Sequence, residues 1–293
     1  MFTTLITPEQ LQQLQQLQAS AIPLAVFDCT FDLMNPAAGA QQFAQCHVAG
    51  ARHADLDHHL SHHPHTALAD DRPASAGRHP LPSHSTFAAW LGSQGVGNGT
   101  QVVVYDRNGM NYCGRLWWML KWCGHEAVAV LDGGLAAWQA AQGAVESGNS
   151  PAAEPARFEL GEPLATLTDT ATVLAGLGQA SQTVLDARGA PRYRGEVEPL
   201  DPIAGHIPGA LNRPFSDNLG PDGRFKPAAQ LQAEFSALLA GRNPASVVHQ
   251  CGSGVSAVPN LLAMELAGLG RQALYAGSWS EWSRTPGLPV EKG

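Results

Sequence analysis

Lysine is nearly missing from this chain: only three of its 17 basic residues are lysines, against 25 acidic residues, for a formal charge of −8. That balance offers no cationic footprint, so neither nucleic acid nor an anionic membrane surface is an expected partner. No apolar run approaches the ~20 residues of a membrane span. Residues 1–18 lack the basic-then-apolar layout of a secretory signal, and a cytoplasmic location is expected. Cysteine is sparse and odd in number, at positions 29, 46, 113, 123 and 251. Such a set makes no disulfide framework, so a cysteine that matters here reads as a reactive thiol. With 293 residues, 44% of them apolar, the chain suffices for one large or two ordinary domains.

The chain opens on a helix signal. Thr7 is placed as N-cap, Pro8 at the first helical position and Gln10 three after the cap, with Leu11, Leu14 and Leu17 on one face. Short β-branched runs such as Ala25 to Phe27 and Val102 to Tyr105 then alternate with helical stretches such as Leu116 to Trp122, which predicts α/β with largely parallel sheets. The second half replays the first. Val26-Phe27-Asp28 returns as Val184-Leu185-Asp186 at an offset of 158, and His47-Val48-Ala49-Gly50-Ala51 as His206-Ile207-Pro208-Gly209-Ala210 at 159. Val102-Val103 returns as Val247-Val248 at 145, and Leu131 to Trp138 as Tyr275 to Trp282 at 144. Two related domains are therefore expected, 1–145 and 166–293. Residues 146–165 between them are rich in Gly, Ser, Asn, Ala and Pro and read as a linker. A second capped helix is expected to begin near Thr166 or Thr168.

The chemistry concentrates in Val247-Val248-His249-Gln250-Cys251-Gly252-Ser253-Gly254-Val255-Ser256-Ala257, which reads strand, tight loop, helix. Two glycines within three residues of Cys251 let successive backbone N–H groups converge on the sulfur, and the next helix presents its positive end to the same point. Such a cradle favours an anionic sulfur. The bland alternative is a buried cysteine at a strand end.

With these strings in view, the chain resembles the rhodanese superfamily over almost its whole length. The likeness is to the tandem-domain sulfurtransferases: α/β, with two rhodanese-like domains, each a parallel sheet flanked by helices. The loop from Cys251 to Ala257 looks like the active loop of the mercaptopyruvate-type enzymes, which usually have threonine at the position of Ser256. Thiosulfate-type enzymes of the same architecture usually place Arg-Lys after the cysteine, where this chain has Gly252-Ser253. The resemblance implies that the first domain, with Asp106 aligned to Cys251, is catalytically silent. It implies Cys251 as nucleophile, loop residues Gly252, Gly254, Val255 and Ser256 around the substrate, and a relay of Ser253, His79 and Asp57, with Asp55 and His84 as close competitors. Arg192 matches the family's substrate arginine. A second one is expected shortly downstream, where this chain has Leu200, so Arg115 or Arg107 is a candidate replacement.

The reading is a ping-pong sulfurtransferase that moves sulfur from a small-molecule donor, 3-mercaptopyruvate, through a Cys251 persulfide to cyanide or to a thiol acceptor such as thioredoxin or a small thiol, needing neither metal nor organic cofactor. The alternatives are a thiosulfate-specific enzyme on the same fold and a non-catalytic persulfide carrier. A cysteine phosphatase needs an arginine six residues after its nucleophile, and Ala257 stands there. Nine of the 12 histidines fall between His47 and His84. Lacking cysteine or carboxylate ligands at a fixed spacing, they read as an exposed loop rather than a metal site.

Overall fold

The computed structural model describes residues 1–17, 23–63, 65, 67–68, 71–149 and 152–293. It divides into two compact units: residues 1–74, 82–164 and 221–224 form the first, and residues 75–81, 165–220 and 225–293 the second.

The first unit runs β1 (Leu5–Ile6), α1 (Pro8–Leu17), β2 (Leu24–Asp28), α2 (Ala37–Gln45), β3 (His47–Val48), β4 (Arg52–His53), α3 (His84–Ser93), β5 (Gln101–Tyr105), α4 (Cys113–Trp122), β6 (Val128–Leu131), α5 (Gly134–Ala140) and β7 (Val145–Glu146). The second runs β8 (Thr166–Thr168), α6 (Thr170–Ala175), β9 (Thr183–Asp186), α7 (Ala190–Tyr193), β10 (Leu211–Asn212), α8 (Ala228–Leu239), β11 (Val247–Gln250), α9 (Val258–Leu266), β12 (Ala273–Tyr275) and α10 (Ser278–Trp282). The sheet orders are β1-β6-β5-β2-β4 and β8-β12-β11-β9-β10, all parallel, so one topology is used twice. Asp28 pairs with Tyr105 and Asp186 with Gln250, so the offsets read from sequence are also the offsets of the sheet register.

Central strands of such a sheet are covered on both faces and need apolar residues throughout. Along β11, Val248 packs with Val184, Tyr275, Trp279 and Trp282, while Val247 packs on the other face with Leu185, α8 and α9. The repeated His-x-x-Gly-Ala strings do the same work in both units. His47 stacks on Phe43 and His206 on Tyr193, each with Nδ1 on that residue's carbonyl. Gly50 and Gly209 take φ of +77° and +73°, and their N–H groups meet Glu146 and Glu291.

Two expectations need adjusting. The Thr7 and Gln10 capping box forms as expected, but Leu17 is 60% exposed because the apolar face of α1 ends at Leu11 and Leu14. Thr166–Thr168 is an edge strand, and the helix cap is Asp169, whose carboxylate accepts from Thr172 N–H at 2.8 Å; an ionised acceptor suits the positive helix end. The segment 146–165 runs along the first unit: β7 pairs with β3, Ala156 N–H bonds Gly92 O, and Leu164 N–H bonds Lys121 O. Residues 150 and 151 of it lie outside the described residues.

His249 in β11 is fully buried, and neither ring nitrogen has a hydrogen-bond partner among the described residues. Burial pushes its pKa down to about 3. The native state therefore keeps His249 neutral, while the unfolded chain takes up a proton below pH ~6.5, so stability falls as pH drops from there. Between pH 7 and 5 the loss is about 2 kcal/mol. Urea unfolding of His249→Leu is expected to show a correspondingly shallower acid decline, and equal slopes for the two proteins would refute the assignment.

Candidate active site

The end of the central strand carries the same construction in each unit, and the first unit shows what it holds. Asp106 follows β5 and is almost fully buried. Its Oδ1 accepts from the N–H groups of Asn108 and Met110 at 2.8 and 2.9 Å, and its Oδ2 from those of Tyr112 and Cys113 at 2.8 and 2.9 Å. Burial pushes this carboxyl's pKa up, and the four donors pull against that shift. The loop turns through Gly109 at φ +68°. In the second unit Gly254, 145 residues on, takes φ +73°, and α9 starts at the matching position. Here Val258 N–H turns to Val255 O at 3.1 Å, and the offset carries the other three donors onto Ser253, Val255 and Ala257. The sequence argument named Gly252, Gly254, Val255 and Ser256. Gly254 supplies the turn, and the positions matching the Asp106 donors are Ser253, Val255 and Ala257.

Cys251 is 1% exposed and is fixed from behind by the β12–α10 turn. Its N–H donates to Ser278 Oγ at 3.1 Å, its carbonyl accepts from Trp279 N–H at 3.0 Å, and Gly252 O accepts from Ser280 N–H at 2.8 Å. Ser278 has φ +53°, a left-handed conformation unusual for a residue with a Cβ. Its hydroxyl is tied to both Cys251 N–H and Tyr275 O, which explains why the strain persists. No sequence signal separated Ser278 from the rest of its string.

His79 belongs to the second unit, and its Nδ1 lies 2.7 Å from Ser253 Oγ, both residues being buried. Its competitor His84 begins α3, and its ring lies tilted against Trp122 with centroids 3.6 Å apart in the first unit. Asp57 and Asp55 are also in the first unit. Asp55 Oδ1 accepts from the N–H groups of Asp57 and His58, and burial, then the charge of Asp55, pushes the Asp57 pKa up.

The three arginines near residue 190 separate into distinct roles. Arg188 is buried, forks onto Asp186 and lies over the Trp279 ring at 4.6 Å; Arg194 pairs with exposed Glu196. Arg192 binds Glu198 through Nη2 at 2.7 Å and brings Nη1 within 3.5 Å of where a Cβ on Gly252 would lie. Arg115, a candidate for the missing cation, is fully buried in α4 with Nε on Leu60 O. Arg107 is bound to Asp28, Thr30 and the carbonyls of Gln42 and Cys46. Sequence reasoning passed over Arg78, Glu198 and Asp201, which surround Arg192.

Three other cysteines are poor nucleophiles. Burial, then the charges of Asp28 and Asp106, raises the Cys29 thiol's pKa well above its usual range. Burial and Asp106 do the same at Cys113, and burial alone brings Cys123 to about 12. Cys46 is half-buried, 3.5 Å from Gln139 Nε2. In the His-rich tract, His59 is not a loose imidazole: its Nδ1 accepts from Asp55 N–H, its ring stacks on Trp90, and burial lowers its pKa to about 4. His58 and His65 are exposed as expected. Among the described residues, no three His, Cys, Asp or Glu side chains are grouped to hold a metal ion, and no helix is long and apolar enough to cross a membrane.

The rhodanese-like domain model matches residues 7–141 and 169–285. A protein of Pseudomonas aeruginosa described as a probable 3-mercaptopyruvate sulfurtransferase is 48% identical over 288 residues, 97% of this chain and 98% of its own. A putative thiosulfate sulfurtransferase of Mycobacterium tuberculosis, SseB, is 37% identical over 272 residues, 92% of each chain. The crystal structure of the 3-mercaptopyruvate sulfurtransferase SseA from Escherichia coli superposes with a TM-score of 0.76 at 29% identity, covering 96% of this chain and all of that one.

Gly254 is the position where the loop tolerates least. A Cβ there would lie 2.3 Å from the Ala276 carbonyl oxygen, on a backbone already at φ +73°. The left-handed conformation alone costs a residue with a side chain about 1–2 kcal/mol, and the backbone clash adds to it. Gly254→Ala is expected to lower the urea midpoint and remove turnover together; wild-type values of both would contradict this geometry.

Proposed function

The chain belongs to the rhodanese family, and we propose that it is a sulfurtransferase that takes sulfur from 3-mercaptopyruvate onto Cys251 and passes it to a thiol or to cyanide. The observation that carries the reading is the 2.7 Å contact between His79 Nδ1 and Ser253 Oγ, two residues from Cys251. A hydroxyl joined to an imidazole can deliver a proton near neutral pH, and only a donor whose leaving group is a carbon base requires one.

The Cys251 thiolate attacks the donor's sulfur, the carbon–sulfur bond breaks, and its electron pair goes to the departing fragment as the enolate of pyruvate. A proton delivered through Ser253 and His79 to the enolate carbon completes pyruvate, leaving a persulfide on Cys251. A thiol or cyanide then attacks the outer sulfur and expels Cys251 as thiolate. The N–H groups of Ser253, Val255 and Ala257 suit both resting anions, thiolate and terminal persulfide. Arg192 receives the donor carboxylate. Asp57 is assigned as the relay's orienting carboxylate on the family resemblance.

Thiosulfate is the second reading, favoured by the guanidinium nitrogens of Arg78 and Arg192 beside Gly252, cations that the neutral Gly252-Ser253 pair does not itself supply. Sulfite leaving from thiosulfate needs no proton, so that reading leaves the His79–Ser253 contact without work.

Two measurements test the proposal. Intact mass after incubation with mercaptopyruvate is expected to rise by one sulfur atom in the wild type and not in Cys251→Ser; retained labelling would move the nucleophile elsewhere. The kcat/KM for mercaptopyruvate is expected to exceed that for thiosulfate, with Ser253→Ala lowering the first more than the second. Equal or better use of thiosulfate would favour the second reading.

A further inference from the structure

Seven ionised groups of the second unit form one connected network around Gly252. Arg284 Nη1 and Arg78 Nη1 each lie 2.8 Å from Asp201 Oδ1, and Arg192 Nη2 lies 3.5 Å from Asp201 Oδ2. Arg192 continues to Glu198, Glu198 to Arg188, and Arg188 to Asp186. The Asp201, Glu198 and Asp186 side chains are 0%, 3% and 0% exposed, so these charges have little water to screen them. Four guanidinium groups face three carboxylates, which leaves one positive charge.

Geometry places that excess. Arg284 Nη1 is also held by Ser280 O, and Arg188 by Gly205 O and Trp279. The two arginines that reach the active loop are Arg78, whose Nη2 would be 3.2 Å from a Cβ on Gly252, and Arg192, with Nη1 at 3.5 Å. Arg78 Nε is buried and has no hydrogen-bond partner among the described residues.

The strap at 75–81 is set rigidly enough to aim this side chain. Gly77, at φ +95°, packs so closely on the Gly277 carbonyl that a Cβ would lie 2.6 Å from it, and Arg78 N–H donates to Ser280 Oγ at 2.9 Å. Consecutive strap residues thus serve consecutive loop residues: Arg78 flanks Gly252 and His79 meets Ser253.

We propose that Arg78 is a substrate-binding residue that closes, with Arg192, on the single carboxylate of the sulfur donor, and that Asp201 is the positioning residue that holds both guanidiniums at Gly252. Two forks facing one carboxylate give it charge-assisted donors from both sides. The two guanidiniums beside Gly252 give that carboxylate its counter-charge. The cation absent at Leu200 is supplied from the strap.

This rests on the donor reading above, so the test includes an arm independent of any donor. Iodoacetate and iodoacetamide alkylate a cysteine alike but differ in carrying a carboxylate, and their rate ratio at Cys251 reports the anion site directly. Arg78→Ala is expected to lower kcat/KM for mercaptopyruvate about tenfold or more, mostly through KM, and to lower the iodoacetate-to-iodoacetamide ratio by a similar factor. Arg78→Lys is expected to recover part of both. Asp201→Asn, which raises the network by one charge, is expected to shift donor preference toward dianionic thiosulfate. An unchanged alkylation ratio in Arg78→Ala overturns the proposal. So does a collapse confined to kcat, which would mean only that the strap had released His79. A lowered ratio in a protein that does not use mercaptopyruvate would keep the anion site and reject the donor.

Discussion

A negative charge at the carboxyl end of a central, fully covered strand can exist only if the backbone around it supplies donors. The unsatisfied alternative is expensive, since burying an unpaired charge costs several kcal/mol. Both units meet this requirement with one backbone path: strand, glycine in the left-handed region, then helix. The first unit fills its cradle with the oxygens of Asp106, two for four N–H groups. That carboxylate saturates the donors it attracts. The second unit has the single sulfur of Cys251 at the matching position, so one construction holds a carboxylate in one unit and, on the proposed reading, the reacting sulfur in the other.

The elements packed around Cys251 hold that loop in place. The β12–α10 turn takes up Cys251 N–H, Cys251 O and Gly252 O. The Ser278 backbone stays in a costly conformation because its hydroxyl is committed at both ends. The carboxylates of Glu198 and Asp201 hold the arginines as the turn holds the loop. Charged groups so arranged do little for stability by themselves, but they fix direction, and direction is what binding a planar carboxylate requires.

Much of this was legible in the sequence because the repeat was. The offsets of 158 and 145 fixed which strands correspond, and they reappear as the register pairs Asp28 with Tyr105 and Asp186 with Gln250. The histidine of each His-x-x-Gly-Ala string could be paired with its partner, though not its role: the stacking partner comes from a helix four residues upstream in one unit and 13 upstream in the other. Local chemistry failed where two signals competed. Thr168 looked like a cap until Asp169 took the position. Arg78 and Asp201 were invisible for a different reason. They are 123 residues apart, and nothing in either neighbourhood states that a glycine-to-glycine contact at Gly77 will bring them together. His79 was distinguishable from His84 only once the strap, and not α3, was seen to meet Ser253.

The position after the anion shows how the two units diverged. In the first, Arg107 follows Asp106 and folds back onto Asp28 and Thr30, neutralising the end of the neighbouring strand β2. In the second, that duty passes to Arg188, which forks onto Asp186 two residues along the same segment. Position 252 is thereby released from carrying a cation and can be glycine. Its missing side chain leaves the space that Arg78 and Arg192 border from two directions. A positive charge within the loop would sit beside the sulfur and attract any anion to it. The guanidiniums of Arg78 and Arg192, delivered from the strap and from α7, flank position 252 from outside the loop instead. The separation of charge from nucleophile, made possible by Gly252, thus suits a donor whose anionic group and transferable sulfur lie on different atoms.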